Sequence, residues 1–117
     1  MDEKTEAEFE QLAKDKLLKL SEMSKEEKSL LLFFETCAVN ASGLVNSIHM
    51  NQKDFQIATK WKESGFIHFG RIPSKELQKN NPNHWVVLSE EAFLLALLER
   101  KARAKRNPCK YYEPKTN

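Results

Sequence analysis

Apolar positions fall at helical spacing in four stretches of the chain and at strand spacing in two. In residues 4–21, Phe9, Leu12, Ala13, Leu17 and Leu20 lie on one stripe, and Glu6, Glu10, Lys14 and Lys19 fall largely elsewhere. That pattern predicts an amphipathic first helix. Ser21 and Met23 mark a break, and Ser24-Lys-Glu-Glu27 reads as a capping box that opens a second helix to about Asn40. Its run Leu30–Phe34, continued by Cys37, Ala38 and Val39, covers more than one face. Burial on two sides is expected, against the first helix and against a hairpin unit further along the chain. Ala41-Ser-Gly43 is a stop, and Leu44-Val45-Asn46 is compatible with a short strand.

The stretch from Asn51 to Leu88 organises the rest. Asn51 is a good N-cap, and Asp54 three residues later can close the box. Phe55, Ala58 and Trp61, with Ile57 beside them, give an apolar helical face, and Gly65 ends the helix as a left-handed cap. Phe66–Ile72 then reads as a strand stopped by Pro73, and His84–Leu88 as the returning strand. Between them Pro73–Asn83 is a long polar connection, with one helical turn expected around Lys75–Leu77. Ser89 caps a last helix from Glu90 to about Lys105, ringed by Phe93, Leu94, Leu95, Leu97 and Leu98 and basic in its second half. The fold class is therefore mainly α with a small antiparallel β-sheet, an α+β arrangement. Its parts are residues 1–23 as a packing or dimerising helix, 24–106 as the domain proper, and 107–117 as a tail. Trp61, Phe66, Phe69 and Trp85 are expected in the core.

A helix that ends in Gly65-Phe66-Ile67 and runs through Gly70, Arg71 and Ile72 into a hairpin closed by Trp85-Val86-Val87-Leu88 resembles the second half of a winged helix-turn-helix domain. The resemblance covers about residues 25–105. It implies that the helix reads DNA, that the hairpin is the wing, and that Leu44–Asn46 adds a third strand. One departure is plain. Between Gly43 and Asn51 there is no room for both a strand and a full helix, so Ser47–Met50 is left as a single turn at most.

Charge sharpens this reading. The net charge is only +2. Its distribution is uneven, with Asp2, Glu3, Glu6, Glu8 and Glu10 at one end and Arg100, Lys101, Arg103, Lys105 and Arg106 at the other. In the winged-helix reading Gln52, Lys53, Gln56, Thr59 and Lys60 approach the major groove, where Gln suits adenine and Lys suits guanine or phosphate. Arg71, Lys75 and Lys79 belong to the wing, and Arg100, Arg103 and Arg106 add phosphate contacts. Double-stranded DNA is the expected partner, and a homodimer through the terminal helices is the expected state. The alternative is an interaction module that docks a protein of a replication, recombination or transcription complex.

Catalysis finds little support. Ser29 and Cys37 have no neighbouring histidine in sequence, and His49, His68 and His84 lack metal-ligand spacing. His68 and His84 are placed to face each other across the hairpin. Three glycines, Gly43, Gly65 and Gly70, make no phosphate loop. No enzyme activity, cofactor or metal is expected. Cys37 and Cys109 read as free thiols of a reducing compartment. The acidic start does not read as a signal peptide, so none is expected, and the longest apolar runs are too short for a membrane. A cytoplasmic DNA-binding regulator, of a transcriptional or phage and plasmid kind, is the expectation.

Overall fold

Three polar caps set where the helices begin. The computed structural model describes residues 3–77 and 82–111. Helix α1 spans Glu3–Ser21, α2 Lys25–Asn40, α3 Gln52–Ser64 and α4 Glu90–Arg106. Ser24 Oγ accepts from the Glu27 amide at 3.1 Å, while the Glu27 carboxylate accepts from the Ser24 amide at 3.1 Å. Asn51 and Asp54 repeat the box at 2.8 and 3.0 Å, and Ser89 Oγ accepts from the Ala92 amide. Each such cap contributes about 1 kcal/mol by satisfying amides that the helix leaves unpaired.

Three strands form one antiparallel sheet in the order β1-β3-β2, with β1 at Leu44–Val45, β2 at Ile67–Arg71 and β3 at His84–Leu88. The molecule is a mainly helical α+β fold. The short step from β1 to α3 is a single 3-10 turn, Ser47–His49, and a second such turn, Ser74–Glu76, follows β2. Gly65 closes α3 at φ 81°, with the Phe66 amide reaching back to the Trp61 carbonyl at 3.0 Å. Gly43 is also left-handed, at φ 82°. A Cβ there would stand 2.7 Å from the Val86 carbonyl oxygen, so only glycine lets β1 close on β3.

The core lies between the sheet and α2, α3 and α4. Val45, Ile67, Phe69, Val86 and Leu88 point inward from the sheet. Leu31 and Phe34 of α2 meet them fully buried. The Phe34 ring sits 5.6 Å from Phe69 and 6.4 Å from Trp61, between the sheet and α3. The continuous apolar run of α2 has its reason here, since α2 packs on α3, α4 and the sheet at once.

Two expectations are corrected. Trp85 does not enter the core. The pairing Val45↔His84 and Gly70↔Trp85 puts His84, Val86 and Leu88 on the inner face, so Trp85 and Val87 face outward, Trp85 at 38% exposure. The same parity separates the two histidines. His68 pairs with Val87 and is exposed, and His84 pairs with Arg71 and is buried. On α1, Leu20 joins the core while Leu12 and Leu17 stay half exposed. The side chains of Phe9 and Ala13 lie outside the described part, as does Tyr112.

Candidate nucleic-acid interface

The buried face of α3 is set by Ala58 and Trp61, which turns the opposite face to solvent. Gln52, Gln56, Thr59 and Glu63, spaced i, i+4, i+7, i+11, form one exposed row. Lys53 and Lys60, seven residues apart, are both exposed along one flank of that row. The centre of the face is thus made of uncharged hydrogen-bonding groups, with a carboxylate at its C-terminal end. The Thr59 hydroxyl donates to the Phe55 carbonyl at 2.9 Å.

The turn before α3 and the base of the hairpin are tied through Asn83. Its Oδ1 accepts from the Ser47 amide at 2.9 Å, and its Nδ2 donates to Ser47 Oγ at 2.8 Å. Its backbone amide donates to the Val45 carbonyl, and its carbonyl accepts from the Ile72 amide, both at 3.0 Å. His84 Nδ1 lies 3.0 Å from Asn83 Oδ1, and since an amide oxygen only accepts, the ring proton sits on Nδ1. The His84 ring stacks on Phe69 at 5.2 Å and 7° and leans on Phe55. Burial, and then the charge of Arg71, hold its pKa below the usual histidine range. Asn83 counts only as a turn former in the sequence. Its bonds reach 36 residues back along the chain, which no local pattern announces.

Of the hairpin candidates, Arg71 and Lys75 are exposed near the end of β2, and Lys79 lies outside the described residues. Among the described residues no ion pair holds Arg71, Lys75 or Lys60. The other candidate cations described, Lys53, Arg100, Arg103 and Arg106, are engaged within the chain. Lys53 Nζ stands 3.7 Å from Glu26. Arg100 reaches α2, pairing with Glu35 and donating to Thr36 Oγ1 at 2.6 Å. Arg103 and Arg106 both converge on Glu99, at 2.7 and 3.3 Å. Glu99 is 2% exposed. Burial pushes its pKa up, and the bonds and charges of Arg103 and Arg106 outweigh that and hold it below the usual glutamate value. The basic end of α4 is therefore first a fastening of α4 on itself and on α2.

Lys60 also borders an open cleft of about 680 Å³ between the ends of α1 and α3 and the start of α4. Trp61 and Phe66 line it, and Lys19 stands 5.6 Å over the Phe66 ring while paired with Glu91. Among the described residues outside the tail, Ile48, at the tip of the turn before α3, is the most exposed large apolar one, and no signal in the sequence singles it out. Among the described residues, no three His, Cys, Asp or Glu side chains stand close enough to hold a metal. None of the described helices is long and apolar enough to cross a membrane.

The chain matches no protein-family model, no curated protein and no solved structure.

Proposed function

We propose that this chain is a DNA-binding module of winged-helix type that acts in the cytoplasm as a small regulator, by binding rather than by catalysis. The observation that carries this reading is the exposed row Gln52, Gln56 and Thr59 on α3, flanked by Lys60 and set against a hairpin that brings Arg71 and Lys75. Support comes from the order helix, short strand, single turn, helix, hairpin, and from the sheet order β1-β3-β2. The row supplies donors and acceptors for base edges, and Lys60, Arg71 and Lys75 supply phosphate contacts. With Arg100, Arg103 and Arg106 tied to acids, phosphate contacts are few. Log affinity should then fall against log salt with a slope of about −3, near −0.9 for each contact. Fluorescence anisotropy with random-sequence duplex at several salt concentrations tests this. Lys60→Glu should weaken binding for all sequences. Gln56→Ala should reduce discrimination between sequences. Absence of binding at low salt ends the DNA reading.

A second reading is favoured by a different observation. Arg100, Arg103 and Arg106 of α4, with Lys53, are neutralised internally, Glu63 ends the exposed row, and Ile48 and Leu77 stand out to solvent. A surface of that composition fits a protein partner that buries Ile48 and accepts hydrogen bonds from Gln52 and Gln56. Under this reading Ile48→Asp abolishes capture of the partner, and Lys60→Glu leaves it in place.

A further inference from the structure

Helix α4 is held by its own chain on three sides. Ala92, Leu95, Ala96 and Glu99 face the core, Arg100 reaches α2, and Glu91 takes Lys16 and Lys19 from α1. What remains is one row at i, i+4, i+7, i+11: Glu90, Leu94, Leu97 and Lys101. Leu94 is 36% exposed and Leu97 50%, with Phe93 exposed beside them. Glu90 and Lys101 are exposed, and among the described residues neither is in an ion pair.

We propose that this row is the surface on which two copies of the chain meet, with the two α4 helices antiparallel about a two-fold axis. The row is its own complement when turned end for end. Leu94 of one copy falls against Leu97 of the other at the centre. Glu90 of each copy falls against Lys101 of the other at the two ends. An acid at a helix start and a base near its end are ordinary complements to the helix dipole. The dipole gives no reason for two leucines between them on the same solvent-facing row, and a second copy does. It covers the apolar centre and pairs both charges, as an isologous contact requires. A parallel arrangement would set like charges together, so the charge order selects the antiparallel one. The inference goes beyond the nucleic-acid reading and does not depend on it.

The test is light scattering on the full chain after size separation, over about 1–200 µM, the range of a weak to moderate dimer. The expected mass at the upper end is twice 13.6 kDa. Glu90→Lys and Lys101→Glu each place like charges at both ends of the pair, and each is expected to weaken the dimer at least about 10-fold. Mixed in equal amounts they restore both opposite-charge pairs, and the mixture should return to twice the single-chain mass. Leu97→Asp should leave a single chain with an unchanged circular dichroism spectrum, because the position lies outside the core. Single-chain mass for the natural sequence over the whole range overturns the proposal. So does a dimer that persists in both charge variants, or a mixture that fails to recover.

Discussion

The indole of Trp85 lies across Gly70, its partner on the neighbouring strand. A Cβ at Gly70 would stand 2.8 Å from Trp85 Cζ2 and 2.9 Å from Nε1, so the absent side chain is the seat of the ring. This covering of a strand glycine by an aromatic explains a tryptophan on the outer face of a sheet, where a core position was expected.

Gly70 and Gly43 should respond differently to alanine. At Gly70 the obstacle is an outward side chain that can lift away. Gly70→Ala should cost about 0.5–1.5 kcal/mol and shift tryptophan emission to the red as Trp85 becomes wetter. At Gly43 the obstacle is the Val86 backbone carbonyl at 2.7 Å, and φ is +82°. Gly43→Ala should cost more than about 2 kcal/mol and detach β1. Denaturant melts of the two variants, side by side, check the order. Equal losses would contradict it.

Glu99 should make the fold acid-sensitive. Its folded pKa lies below its unfolded value, so its contribution is complete above about pH 4.3 and is lost as pH falls through the folded pKa. Arg103 is partly and Arg106 mostly in solvent, which limits the gain to about 1–2 kcal/mol despite the buried carboxylate. Glu99→Gln should be less stable than the natural chain by that amount at pH 7. The gap should narrow as pH falls below about 4. A gap that stays constant down to pH 3 would show that the charge is immaterial.

His84 acts in the same direction at higher pH. Its folded pKa is also depressed, here because burial between Phe69 and Phe55 disfavours the cation and Arg71 adds repulsion. Its contribution is therefore full above the unfolded value of 6.5 and is lost as pH falls through the lower folded value. Melting temperature measured from pH 8 to pH 5 should decline through that window, and His84→Gln should flatten the decline. A profile identical in both proteins would assign the slope elsewhere.

The two thiols should react on different clocks. Cys109 is exposed on the tail side of α4. Cys37 is buried, and burial pushes its pKa up, away from the reactive thiolate. An aromatic disulfide reagent should modify one thiol quickly and the second only with added denaturant. Rapid modification of both would mean that the C-terminal half of α2 opens in the native state.

The helices were legible because their signals are local. Ser24 with Glu27, Asn51 with Asp54, Ser89 and Gly65 lie within a few residues of the turns they start or stop. The strand at Leu44–Val45 and the cramped turn at Ser47–His49 could be read from the residues left over between two firm helices. Charge pairing was not legible. Arg100 meets Glu35 from 65 positions away, and Lys19 meets Glu91 from 72 away, so the basic run of α4 looked open when read along the chain. Strand parity was the other gap. The run His84–Leu88 is apolar enough on both faces that only the register decides which of Trp85 and Val86 goes inside.

Asn83 has a consequence for motion. Its four bonds to Ser47, Val45 and Ile72 make the turn ahead of α3 and the root of the hairpin one rigid corner. A load taken up by the chain near Lys75 therefore meets a corner that also holds the turn ahead of α3. One amide side chain thus joins two segments that lie 36 residues apart in the chain.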